Sequence, residues 1–260
     1  ITVSGFDLYA AENSAQNPEL LPAKYVQLEV TNSNSFSVSV LKTFQNLSQL
    51  VQARYYSLLN WKLHSRSAEL EIANYDRKAQ FGRWVNDPND ETCLNTRAKV
   101  LVRDSINSVA FKENNNCVVA EGRWKDPYTN QAFAAASEIQ IDHLVPLKNA
   151  YVSGAYKWSF RARCLYANYL GYDFHLLSVS GTENMKKSDK SPDKYMPPNE
   201  NYACAYVRNW LTVKLLWGLS MTVDEANSIR QIINENGCSA AQFRISDAEL
   251  NRQRKFAQAN

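Results

Sequence analysis

The sequence predicts an α+β fold, a short ββα unit embedded in a mainly helical domain and preceded by an N-terminal extension. Three stretches predict the unit. Ile139-Gln140-Ile141 has the composition of a strand, Phe174 to Ser180 has the length and β-branched or aromatic content of a second, and Gly181-Thr182 turns into a stretch of helical character that contains Asn184. At 260 residues, with 45% hydrophobic and 21% charged side chains, the chain buries a full core as an ordinary globular protein does. No apolar run approaches the ~20 residues that span a bilayer, so no membrane role is expected.

In chain order, residues 1–35 are polar and irregular, and Tyr25 to Val30 alternates as a half-buried strand would. From Leu41 the period changes. Phe44, Leu47, Leu50, Val51, Tyr55 and Leu58 recur at helical spacing, and Ala68 to Lys78 predicts a second helix. His64 has no acidic or histidine neighbour one turn away and reads as structural. Residues 96–110 predict a helix with Ala98, Leu101, Val102 and Ile106 on one face. Asp126-Pro127-Tyr128-Thr129-Asn130 is a turn, since Pro127 presets φ and Asp126 accepts a local backbone bond. Thr182 as N-cap places Asn184 in the first turn of the next helix. Tyr206 to Trp217 is an apolar-rich helix, Thr222 to Glu225 is a capping box whose helix Gly237 ends, and Ser246 to Glu249 is a second capping box.

A net charge of +3 does not by itself announce a nucleic-acid binder. The excess falls after residue 140, where Lys186, Lys187, Lys190 and Lys194 crowd around Asn184. Alone, that cluster reads equally well as a solvated helix face. Cys93, Cys117, Cys164, Cys204 and Cys238 show no CxxC pairing and no histidine at zinc-ligand spacing. The chain begins at Ile1, as a mature protein would after loss of a signal peptide and as a trimmed one would too. Together these favour an oxidising, secreted or periplasmic location with two disulfides, Cys93–Cys117 and Cys204–Cys238. Cys164 is then the odd cysteine, a small buried hydrophobe.

Asp142 and His143 close the first strand, and Asn184 stands near the start of the helix. An acid and an amide supply the oxygen ligands that a hard cation requires, while a neutral imidazole beside them deprotonates water. That is the layout of a one-metal phosphodiesterase site. An Asp-His dipeptide alone is more often a capped strand end, so the weight rests on its joint occurrence with the following strand and Asn184 to Asp189.

Ile139 to Pro146 with Asn184-Met185-Lys186-Lys187-Ser188-Asp189 resembles the HNH, or ββα-metal, nuclease superfamily. Cys93 to Arg97, Gly122-Arg123-Trp124, Asp126 to Thr129, Asp189 to Pro192 and Tyr202-Ala203-Cys204 extend the likeness to secreted bacterial HNH nucleases related to the C-terminal part of GmrSD-type restriction enzymes. The resemblance implies an HNH-type nuclease domain over 89–260 and leaves 1–88 as an extension of unassigned role. It implies one divalent ion, Mg²⁺ with Mn²⁺ or Ca²⁺ as alternatives, on Asp142 and Asn184, with His143 activating water and Lys187 near the phosphate. Lys186, Lys190 and Arg123 are further expected contacts to nucleic acid, DNA first and RNA second. Arg97 and Arg123 contact phosphate or form salt bridges, and Trp124 and Tyr128 stack on bases or pack in the core. The pattern is broken at His175, where the family has an asparagine that holds the catalytic imidazole. His175 either orients His143 through a ring nitrogen or points into the core beside Leu176 and Leu177. The rival functions are a modification-dependent restriction nuclease, an inactive nucleic-acid-binding module and a secreted toxin with a cognate protein inhibitor.

Overall fold

The structure, a computed structural model, describes residues 75–86 and 90–239 and isolated positions beyond 240. The strand expected at 25–30, the helix from Leu41, His64, most of the helix over 68–78 and most of the terminal helix lie outside the described residues.

Helices α1 (Arg77–Phe81) and α2 (Thr96–Asp104) precede a three-stranded antiparallel sheet of β1 (Ala110–Lys112), β2 (Asn115–Lys125) and β3 (Ala132–Ala135), in that order. A separate antiparallel ribbon pairs β4 (Ile139–His143) with β5 (Leu176–Ser180), in a register that runs from Ile139 opposite Ser180 to His143 opposite Leu176. Between the two strands come α3 (Leu147–Val152) and α4 (Phe160–Ala167). The chain passes from β5 directly into α5 (Gly181–Lys187), then into α6 (Ala203–Leu216) and α7 (Val223–Glu235). The class is α+β, and β4, β5 and α5 form the ββα unit.

Two apolar clusters hold these elements in place. The larger surrounds α6, whose Tyr206, Val207, Trp210, Leu211, Val213 and Leu215 are all fully buried. A helix apolar on nearly every side must be central. The one cation it buries is satisfied: Lys214 Nζ donates to Asn149 Oδ1, Ser153 Oγ and the Ser220 carbonyl, and lies 3.3 Å from Glu225. Thr222 caps α7 through Glu225 N, Gly237 follows it at φ 57°, and the disulfide Cys204–Cys238 ties the start of α6 to the end of α7. The smaller cluster packs Val100 and Leu101 of α2 against Trp124, Ile139, Ile141 and Leu176. Cys93–Cys117 joins the approach to α2 to β2, and Cys164 is free and half-buried.

The structure departs from the sequence reading at several elements. Tyr75 and Asp76 are not helical: Asp76 is extended (φ −116°, ψ 120°) and caps α1 by accepting from Ala79 N. Helix α2 ends at Asp104 because Ser105 takes an extended backbone, its hydroxyl donating to the Asn107 carbonyl and accepting from Arg123 N. Its inward face is Ala98, Val100 and Leu101, while Val102 is 40% and Ile106 61% exposed. The cap of α5 is Ser180, whose hydroxyl accepts from Glu183 N. Asn184 is thereby the fourth helical residue.

Candidate active site

Residues alternate in direction along a strand, and β4 uses both faces. Ile139 and Ile141 enter the smaller cluster, while Gln140 and Asp142 turn toward α5. Asn184 and Lys187, one helical turn apart, share a face of α5. Two rungs result. Asn184 Nδ2 donates to Gln140 Oε1 at 2.9 Å, and Lys187 Nζ lies 2.8 Å from Asp142 Oδ1. Close packing fixes the crossing, since a Cβ on Gly181 would lie 3.2 Å from Gln140 Nε2 and 3.3 Å from the Glu138 carbonyl.

Asp142 is 4% exposed and Lys187 has no exposed surface. The Lys187 ammonium also donates to the His143 carbonyl, and Tyr128 donates its hydroxyl to Asp142 Oδ2 at 2.5 Å. Burial pushes the Asp142 carboxyl above its ordinary pKa and the Lys187 ammonium below its own, with their mutual attraction opposing both shifts. Tyr128 is brought there by the predicted turn: Asp126 Oδ1 accepts from Tyr128 N and Oδ2 from the Thr129 hydroxyl.

His143 turns the other way. Its Nε2 meets the Ala167 carbonyl at 2.9 Å, in the last turn of α4, and its ring lies parallel to Trp84 with centroids 5.3 Å apart. Burial holds its pKa well below the ordinary histidine value, and the bond to Ala167 works against that shift. His143 lines a cavity of about 380 Å³ together with Arg77, Lys78, Arg83, Trp84, Asn95 and Leu147. The segment that carries Arg83 and Trp84 is pinned there. Gly82 turns it at φ 73°, Val85 N donates to Asn168 Oδ1, and the Val85 carbonyl accepts from Thr96 N.

The structure thus gathers Asp142, Lys187 and Asn184 between β4 and α5 and sets the His143 ring against α4 and Trp84. His175 is buried. Its Nε2 engages the Tyr166 carbonyl at 2.8 Å, one residue before the carbonyl that holds His143, and its ring packs against Tyr166, Tyr169 and Trp217. Lys186 is 3.1 Å from Glu183, and Lys190 donates to the Lys186 carbonyl. Arg123 is exposed on β2, and Arg97 donates to the carbonyls of Ala136 and Ile139 rather than to an acid. Trp124 is core, with its indole N–H on the Leu101 carbonyl. The sequence reading missed Tyr128 as the partner of Asp142 and Trp84 as the partner of His143.

Among the described residues no three His, Cys, Asp or Glu side chains group as a metal site. Asp142 and Asn184 offer one carboxylate and one amide oxygen, although both Asp142 oxygens are already engaged, Oδ1 by Lys187 and Oδ2 by Tyr128. Oxygen donors of this kind are the chemistry that Mg²⁺ takes, since it uses few protein oxygens and keeps several waters. The Asp142 carboxylate, moreover, already balances a cation in Lys187.

The family model described as GmrSD restriction endonucleases, C-terminal domain, matches residues 95–232. An "Uncharacterized secreted protein" of Arthroderma benhamiae is 36% identical over 155 residues, which cover 60% of this chain and 72% of that protein. No solved structure matches the chain.

Proposed function

The chain belongs to the family of GmrSD restriction endonuclease C-terminal domains, and we propose that it is an extracytoplasmic endonuclease with His143 as the general base of phosphodiester hydrolysis. One observation carries this reading: the His143 ring is buried, fixed by the Ala167 carbonyl and Trp84, and beside a basic cavity. A backbone carbonyl only accepts, so the Nε2 facing Ala167 carries the proton and the lone pair resides on Nδ1. A base must be unprotonated at working pH, and burial keeps this one so. The parallel Trp84 ring and the Ala167 carbonyl together fix the plane in which Nδ1 takes a proton from water.

Asp142 and Asn184 are the residues that would hold one divalent ion, Mg²⁺ first. When bound, such an ion would supply Lewis-acid chemistry to a phosphate on the α5 side of β4, the side opposite the His143 ring. The substrate is DNA, with RNA as the second candidate. Cations around the cavity favour contact with phosphate over base edges, which supports cleavage with little sequence preference. The naming of the Arthroderma benhamiae relative as secreted, together with two disulfides, supports the extracytoplasmic location.

A second reading, binding without cleavage, is favoured by one observation: both Asp142 oxygens are engaged, by Lys187 and by Tyr128. Supercoiled plasmid separates the two. The unaltered protein with Mg²⁺ is expected to nick it, EDTA to stop nicking, and His143→Ala to lower the rate at least ~100-fold, the usual scale of general-base catalysis. Undiminished cleavage by a folded His143→Ala protein would remove the base assignment. Plasmid binding without nicking by the unaltered protein would transfer the conclusion to the second reading.

A further inference from the structure

Of the four lysines around Asn184 that carry the basic excess of the sequence, three find partners within the fold and Lys194 is exposed. Lys187 is buried on Asp142, Lys186 pairs with Glu183, and Lys190 turns to a backbone carbonyl. The cations that face the cavity at His143 come from elsewhere. They are Arg77 and Lys78 on α1 and Arg83 just after it, all on the exposed side of the fold. Among the described residues no acid lies within ion-pairing distance of any of them. Like charges gathered around one concavity repel unless solvent or an anion neutralises them, and the charges are long, donor-rich and free to take phosphate oxygens.

The segment is a fixed part of the fold. Phe81 is fully buried in the larger cluster, Arg163 Nε donates to the Gln80 carbonyl, and Asn168 Nδ2 donates to the Arg83 carbonyl. It also lies outside residues 95–232, the part of the chain that the family model matches. Resting on the nuclease reading above, we infer that residues 77–84 are a polynucleotide-binding rim: Arg77, Lys78 and Arg83 hold the backbone phosphates that flank the bond presented to His143. The contact that secures the substrate is thus supplied from the N-terminal side of the family domain, and Lys187 of α5 has a structural task.

Counterion release gives the test its readout. The full chain is titrated in EDTA, where cleavage is stopped, into a fluorescein-labelled DNA duplex at several KCl concentrations, and anisotropy is followed. Loss of three phosphate contacts is expected to flatten the slope of log K against log salt by about 2 to 3 in the triple variant Arg77→Gln/Lys78→Gln/Arg83→Gln. Affinity in low salt should fall by ~10-fold or more. Lys112→Gln/Lys125→Gln, changed at two exposed lysines of the three-stranded sheet, is the control and should move the slope by less than half as much. An unchanged slope in the triple variant, with plasmid nicking intact in the unaltered protein, overturns this inference and leaves the nuclease reading standing. An unaltered protein that neither binds duplex nor nicks plasmid overturns both.

Discussion

The ammonium of Lys187 is fully buried and holds together the acid and the backbone of the candidate site, through Asp142 Oδ1 and the His143 carbonyl. A buried pair contributes little beyond what apolar residues would, but breaking one side strands an uncompensated charge. Lys187→Met is therefore expected to lower unfolding free energy by about 3–5 kcal/mol. The double variant Asp142→Leu/Lys187→Met should recover much of that loss. Urea denaturation at pH 7 of both proteins decides it, and a single variant as stable as the unaltered protein would show that Asp142 does not depend on Lys187. Asp142, His143, Asn184 and Lys187 were legible in the sequence because they occupy two short motifs whose residue types have distinct chemistry. Tyr128 and Trp84 were not, because nothing local distinguishes an aromatic bound to a site from one in a core. Tyr128 meets its carboxylate across fourteen residues of chain, and Trp84 meets an imidazole that β4 delivers.

Helix α5 starts without an intervening turn, so one hydroxyl both ends β5 and caps the helix that carries Asn184 and Lys187. Ser180 and Glu183 have the spacing of a capping box, with Ser180 Oγ accepting from Glu183 N. Removal of the hydroxyl is expected to cost about 0.5–2 kcal/mol. It should also loosen the Asn184–Gln140 rung. Ser180→Ala is checked by thermal denaturation with amide hydrogen exchange over residues 181–187, and unchanged protection there would show that the hydroxyl does not hold the start of α5. The sequence points two residues too far, to Thr182, because a glycine before a threonine has the signature of a turn. Gly181 is instead helical and placed where a Cβ would crowd Gln140. The three-stranded sheet was illegible for another reason. The ladder of β2 has a register shift between Glu121 and Trp124, which breaks the period-two pattern by which strands are recognised.

On the scale of the whole molecule, α4 is the hub, because its last two carbonyls hold His175, just before β5, through Tyr166 and His143, at the end of β4, through Ala167. The open question in the sequence was whether His175 orients His143 or enters the core, and its ring nitrogen is committed to Tyr166 amid Tyr169 and Trp217. That enclosure has a consequence for acid stability. Burial lowers the pKa of His175 from 6.5 to about 4, with the Tyr166 carbonyl opposing the shift. In the unfolded chain the ring titrates near ~6.5. Between that pH and about 4 the unfolded state therefore binds more protons than the native state, and stability rises with pH. The contribution is fully present above pH ~6.5 and is lost as pH falls through about 4, amounting to roughly 3 kcal/mol. His143, shifted in the same direction, adds to it. Urea unfolding at pH 7, 5.5 and 4.5 should show this fall in the unaltered protein. His175→Phe, which keeps an aromatic ring and removes the titration, should be less stable at pH 7 and flatter with pH by about 1 kcal/mol per unit. A variant that loses stability with acid as steeply as the unaltered protein would place the proton uptake on other groups.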